Sequence, residues 1–196
     1  MEQDLIDIGL SKNQREFLYK TVLKFPRNFV LLVAPPHEDV HKTSILLLKE
    51  LSSLHPHKKI IILEKFKRCD LESASQLKIE QDRSYIDYLD SIVFRRPDIV
   101  YIDDVPDRKI INKIFESTHF FSLVISTFHA SSACDAIAKF AAMGIPKRQL
   151  AEHLDFIISQ RLLRKLCAGC LKVFDPVAKI LKGIFVVSVK VLTTMA

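Results

Sequence analysis

Tryptophan is absent from this chain, and glycine occurs four times in 196 residues, at Gly9, Gly144, Gly169 and Gly183. That scarcity excludes a phosphate loop or a dinucleotide fingerprint in standard form, because both need glycines at fixed offsets. No apolar run reaches the roughly 20 residues of a membrane-spanning helix. The tail from Ile180 to Leu192 comes nearest, and Lys182 and Lys190 interrupt it. Cysteines are few: Cys69, Cys134, Cys167 and Cys170. A domain of this length buries roughly 70% of its unfolded surface, so it needs no disulfide framework. Met1 to Leu10 is acidic and lacks the apolar core of a secretory signal. The thiols are therefore expected to be reduced and the protein cytoplasmic.

What is present is ordinary for one globular domain: 48% hydrophobic and 27% charged residues. The formal charge of +6 gathers in Lys58-Lys59, Lys65 to Arg68, Arg95-Arg96 and Arg161 to Lys165. Such clusters suit phosphates, nucleic acid or anionic lipid. With no recognition motif, a solvated face is the preferred reading and no nucleic-acid partner is expected.

Periodicity alternates between helix and strand. Ser11 caps an expected helix from Lys12 to Lys24, ended by Pro26. Asn28 to Val33 reads as a buried strand, followed by Pro35-Pro36 and a Leu-rich helix from Lys42 to Leu54. Lys59 to Glu64 is a second strand. Ser75 to Ser84 is polar and mixed, and Tyr85 to Phe94 is helical. Ile99 to Asp104 is a third strand that ends in two carboxylates. A helix from Arg108 to Ser117, a strand from Ser122 to Thr127 and an Ala-rich helix from Ala130 to Met143 follow. Gly144 and Pro146 stop the last of these, and a short helical turn from Ile145 to His153 precedes a fifth strand from Leu154 to Ser159. Strands apolar throughout, alternating with helices, predict an α/β fold with a mostly parallel sheet covered by helices on both faces. Ligands of such sheets sit at the carboxyl ends of the strands. Ala34 to Thr43, Glu64, Asp103-Asp104 and His129 all fall there.

A P-loop is Gly, four residues, Gly, Lys, then Ser or Thr, between a strand and a helix. Pro36-His37-Glu38-Asp39-Val40-His41-Lys42-Thr43 has that spacing and that setting, with both glycines replaced. The loop grips phosphate through inward backbone N–H groups and the helix N-terminus. Pro36 has no N–H. A side chain at His41 crowds the phosphates, and Glu38 and Asp39 bring charge of the wrong sign. Each such contact costs on the order of a few kcal/mol at an effective dielectric of about 20. Weak ATP binding or none is expected. Read alone, Lys42-Thr43 is better taken as merely the start of a helix.

From Gly9 onward the chain resembles the motor domain of the type II secretion and type IV pilus assembly ATPases. Gly9 to Gln14 looks like that family's helix before the first strand, and Phe94 to Val100 like its entry into the Walker B strand. Ser126-Thr127-Phe128-His129 resembles its histidine box. Gln160 to Cys170, ending in Cys167-Ala168-Gly169-Cys170, resembles its C-terminal signature. The order and spacing also match, over residues 9 to 174.

The resemblance implies a RecA-like P-loop NTPase fold, ATP and Mg²⁺ as ligands, and a hexameric ring, homo- or hetero-oligomeric, working with secretion or pilus assembly proteins. It implies a place in the cytoplasm, at the inner face of the membrane, with at most peripheral membrane association. Carried over, Pro36, His41, Lys42, Thr43, Ser44 and Glu64 are candidate nucleotide-binding residues. Lys42 takes the β/γ-phosphates and Thr43 the Mg²⁺. Asp104, in place of the Walker B glutamate, and His129, in place of the γ-phosphate sensor, are candidate catalytic residues. Asp103 stands where the family has a glycine.

The departures are several. Lys65, Lys67 and Arg68 follow Glu64 where the family is acidic. Asp87 and Asp90 replace arginines, Pro106 replaces another, and Phe120-Phe121-Ser122 replaces Thr-Gly-His. Cys167 and Cys170 have zinc-knuckle spacing without a second pair, so no zinc is expected. Residues 1–174 are expected to form a motor domain without the family's N-terminal domain. Residues 175–196 form a divergent apolar tail that either adds a strand or exposes an aggregation-prone segment. Three functions remain open: a degenerate ATPase domain acting through the secretion or pilus machinery, an active ATPase within a hexamer, and a basic module for nucleic acid or anionic surfaces.

Overall fold

The computed structural model describes residues 10–22, 28–36, 38, 40–68, 71–80, 84–105, 107–161 and 188–191. The CxxC at Cys167 and Cys170, the rest of the C-terminal signature after Arg161, Pro106, Cys69 and most of the apolar tail lie outside them.

The chain opens with α1 (Lys12–Phe17), which continues as a π-helical turn (Leu18–Val22). Ser11 caps α1 by accepting from the Gln14 N–H, and the Gln14 side chain returns the bond to the Ser11 N–H. Then come β1 (Asn28–Ala34), α2 (Val40–Leu54), β2 (Ile60–Glu64), β3 (Ala74–Lys78), α3 (Tyr85–Arg95) and β4 (Ile99–Ile102). The order closes with α4 (Arg108–Ser117), a 3₁₀ turn (Thr118–Phe120), β5 (Leu123–His129), α5 (Ala133–Ala142), α6 (Lys147–His153), β6 (Phe156–Ser159) and β7 (Ser188–Val191).

The seven strands form one sheet in the order β3-β2-β4-β5-β1-β6-β7. All pairs are parallel except β6 with β7. The expected parallel α/β architecture is thus present. Of the two readings of the tail, residues 188–191 follow the added strand.

Two elements differ from the sequence reading. Residues 74–78, read as polar and mixed, form β3, an edge strand beside β2. Its residues are partly exposed, so it lacks the apolar run of a central strand. The third strand stops at Ile102, not Asp104. Asp104 has φ of +49°, a left-handed conformation that ends the extended run.

Alternation along the strands assigns residues to two cores. Phe29, Leu31, Val33, Ile61, Leu63, Val100, Ile102 and Val124 face α3, α4 and α5. Val30, Leu32, Ala34, Ile60, Ile62, Ile99, Tyr101 and Ile125 face α2, whose Leu47, Leu48 and Leu51 are buried against them. Both cores pack central strands that are apolar throughout, as a sheet covered on both faces requires. Gly144, at φ +81° after α5, supplies the left-handed turn that releases the chain toward α6.

Candidate phosphate-site residues at the carboxyl edge

Period-two alternation decides which side chains meet at the carboxyl edge. Extending the α2-facing set by two residues gives Glu64 after Ile62, Asp103 after Tyr101, and Thr127 then His129 after Ile125. All four therefore gather under the start of α2, where His41 lies in the first turn.

The loop from β1 to α2 is closed on itself. The Glu38 N–H donates to the Pro35 carbonyl at 3.2 Å, and the Val40 N–H to the Glu38 carbonyl at 2.9 Å. Two amides of the kind that a P-loop turns toward phosphate thus bond within the loop, and Pro36 has none.

His41 and Asp103 meet across the site. His41 is 9% exposed and Asp103 2% exposed. Nδ1 of His41 lies 2.8 Å from Oδ1 of Asp103, an ion-pair contact without the alignment of a full hydrogen bond. The same Oδ1 accepts from the hydroxyls of Tyr101 and Thr127, each at 3.3 Å. Nε of Arg68 stands 3.7 Å from Oδ2. The Tyr85 hydroxyl donates to the Asp103 carbonyl. Burial works against ionisation of Asp103, yet the His41 contact and charge, followed by Arg68 and Tyr101, outweigh it. The carboxyl is held below the ordinary range. Burial, followed by the charge of Asp103, raises the Tyr85 and Tyr101 phenols, so both serve as protonated donors.

Around this pair, the Ser44 hydroxyl donates to the carbonyls of Val40 and His41 and shares a 3.2 Å contact with the Tyr101 hydroxyl. Glu64 is 4% exposed and accepts from the Arg68 N–H at 3.3 Å. Burial is the main reason its carboxyl lies above the ordinary range, and Asp103 adds to that against the Arg68 bond and charge. The His129 ring stands T-shaped to His41 with centroids 6.5 Å apart, and its Nδ1 has no partner among the described residues. Among those residues, no three His, Cys, Asp or Glu side chains converge to hold a metal ion.

The structure thus brings together His41, Ser44, Glu64 and His129 from the sequence-derived set. It leaves Lys42 exposed and Thr43 partly exposed on α2, and Pro36 exposed in the loop. Asp104 stands apart: its N–H donates to Oγ1 of Thr127, while its carboxylate lies toward solvent, 4.0 Å from Nζ of Lys65. The acid at the centre of the cluster is Asp103, with Tyr101, Thr127, Tyr85 and Arg68 as partners that the motif comparison did not single out. Alternation along β4 was the available signal, because it sets residue 103 on the face of Tyr101.

Two basic clusters are separated by the sheet. Lys65 to Arg68 follow β2 at the carboxyl edge, and Lys58-Lys59 precede it at the opposite edge. They do not form one continuous basic face.

A family model described as Type II/IV secretion system protein matches residues 1–191. The putative type II secretion system protein E of Escherichia coli strain K12 is 26% identical over 180 residues, covering 91% of this chain and 36% of that protein. The type IV pilus assembly ATPase PilB of Pseudomonas aeruginosa is 27% identical over 167 residues, covering 84% and 29%. The chain therefore spans about a third of the length of these relatives. Among solved structures, the pilus retraction motor PilT with bound ADP superposes at a TM-score of 0.73 and 17% identity, covering 99% of this chain and 54% of that one. The Legionella pneumophila ATPase DotB superposes at 0.67 and 16%, covering 83% and 47%. The fold is that of these RecA-like P-loop ATPases.

Proposed function

We infer, since this chain belongs to the Type II/IV secretion system protein family, that it is a motor-type domain whose phosphate site is filled by its own side chains. It serves a secretion or pilus assembly machine as a subunit with weak ATP hydrolysis or none. The observation that carries this reading is the buried His41–Asp103 pair. Two positions that are glycine in the standard motifs carry an imidazole and a carboxylate here, and the two side chains meet where phosphate and its metal ion are bound in a P-loop.

The energetics follow from the contacts. A nucleotide that enters must displace the His41 imidazole and leave Asp103 facing the phosphates. Breaking one side of a buried ion pair costs about 3–5 kcal/mol. That is about two to three and a half orders of magnitude in affinity, before the self-bonded loop amides are counted. Lys42 and Thr43 keep the chemistry to meet phosphate and Mg²⁺, and Asp104 and His129 flank the site. The residues present fit a nucleotide only after the pair opens, and no hydrolytic step is assigned to Asp104 in its solvent-facing position. The subunit then acts through contacts with neighbouring copies or partners in a ring, at the cytoplasmic face of the membrane.

Thermal shift with Mg-ATP tests this. The unaltered chain should show no stabilisation. The triple variant Pro36→Gly, His41→Gly, Asp103→Gly should gain it, by about 2.7 kcal/mol when ATP stands at a hundred times its dissociation constant. Clear stabilisation of the unaltered chain, lost in Lys42→Ala, would refute the reading.

A further inference from the structure

The edge opposite the phosphate site collects features that the nucleotide site does not use. Three large apolar side chains stand out there, each from the end of a different element. Leu54 closes α2 and is 51% exposed, Phe94 lies in the last turn of α3 at 86%, and Phe120 ends the 3₁₀ turn before β5 at 56%. Hydrogen bonds tie these ends together. The Lys59 ammonium donates to the Arg95 carbonyl at 2.6 Å, and the Lys59 N–H donates to the Asp98 carboxylate at 2.9 Å. The Asp98 carbonyl accepts from the N–H groups of Ser122 and Leu123 at 2.9 and 3.0 Å. The sequence clusters Lys58-Lys59 and Arg95-Arg96 thus become one basic edge with His119 beside Phe120. Asp98, paired with Lys58 at 2.6 Å, the exposed Glu116, the exposed Glu72 just before β3 and Asp155 just before β6 are acidic groups at this end, the last bound to the Phe29 N–H.

We infer that this edge is a docking surface for an anionic lipid bilayer, through Phe94, Phe120 and Leu54 as apolar protrusions within a ring of Lys58, Lys59, Arg95 and Arg96. A protruding side chain such as Phe94 suits a soft surface that closes around it. The protrusions straddle the sheet: Leu54 comes from the α2 layer, Phe94 and Phe120 from the opposite layer. A plane laid across the strand ends touches both layers, whereas a strand of nucleic acid or a peptide follows a groove on one side. Stacking of bases also needs aromatic faces, and Leu54 offers none. The cationic ring supplies attraction to anionic headgroups, at about fivefold in affinity for each Lys or Arg near the surface. None of these residues belongs to the phosphate site, so this surface stands or falls independently of nucleotide binding.

Co-sedimentation of the full chain with vesicles tests it. Binding is expected to vesicles of phosphatidylcholine with phosphatidylglycerol at low salt, to weaken as salt rises, and to be absent with phosphatidylcholine alone. Phe94→Ser with Phe120→Ser, and separately Arg95→Glu with Arg96→Glu, should each lower binding at least about tenfold. These side chains are exposed, and circular dichroism will verify that the variants fold. Lys67→Glu with Lys78→Glu removes the same net charge away from this edge and should leave binding in place. Three results would overturn the inference: no sedimentation with anionic vesicles, equal loss in the Lys67/Lys78 variant, or binding to single-stranded DNA in preference to vesicles with loss in the same edge variants.

Discussion

Truncating His41 and Asp103, singly and together, probes the centre of the site. The pair is buried on both sides, at 9% and 2% exposure, with 2.8 Å between Nδ1 of His41 and Oδ1 of Asp103. His41→Ala strands a carboxylate whose remaining support is two hydroxyls at 3.3 Å and a guanidinium nitrogen at 3.7 Å. The cost is expected near the lower end of the about 3–5 kcal/mol for a broken buried pair. Asp103→Ala leaves the buried imidazole without its carboxylate neighbour. It should cost about 2 kcal/mol, mainly because the Tyr101 and Thr127 hydroxyls lose their acceptor. The double variant should cost less than the sum, with a coupling of about 2 kcal/mol. A domain stable by about 5–15 kcal/mol stays folded through all three changes. Urea denaturation at pH 7 reads each value. Coupling below about 0.5 kcal/mol would refute the view that the two charges hold one another.

Other outcomes follow from neighbouring groups. Because the Asp103 carboxyl is held low in the folded chain, its stabilisation is present above the ordinary carboxylate value and is lost as pH falls below it through the lowered one. In acid titration of stability, Asp103→Asn should flatten that window. Glu64 has the opposite sign. Its raised carboxyl costs stability at neutral pH and is relieved on acidification, so Glu64→Gln should raise the urea midpoint at pH 7 and lessen the gain on acidification. Gly144→Ala forces a side chain into φ of +81° and against the Arg108 guanidinium, and should lower thermal stability by about 1–2 kcal/mol. Ser132→Ala removes the hydroxyl oxygen that accepts from the Asp135 N–H and should cost about 1 kcal/mol by calorimetry.

The layer order was legible in the sequence because central strands such as Ile60-Ile61-Ile62-Leu63 are apolar on both faces, and Ser11, Gly144 and Pro146 punctuate the helices. The edge strand at residues 74–78 was not, because partial exposure leaves no apolar run to read. At the site, the motif spacing located His41, Glu64 and His129 correctly on one edge. It gave Asp104 the weight and left Asp103 as a mere departure. A one-residue turn of the backbone at φ +49° decides that matter, and a motif carries no such information. The pairing of His41 with Asp103 spans 62 positions of chain between two motifs, so it emerges only once β1, β4 and β5 lie side by side.

The His41–Asp103 contact also constrains the order in which such a site can change. Starting from glycine at both positions, an imidazole alone can enter as a neutral group and be tolerated. A carboxylate alone would be a buried charge supported only by the Tyr101 and Thr127 hydroxyls and the more distant Arg68. The accessible path therefore introduces histidine first and aspartate second. Retracing it demands the reverse order, because removing the histidine first passes through the stranded carboxylate. A single substitution at residue 41 toward the standard loop is thus the step that selection for a folded chain opposes most strongly. Residues 41 and 103 thus constrain one another directly, through a contact between their side chains.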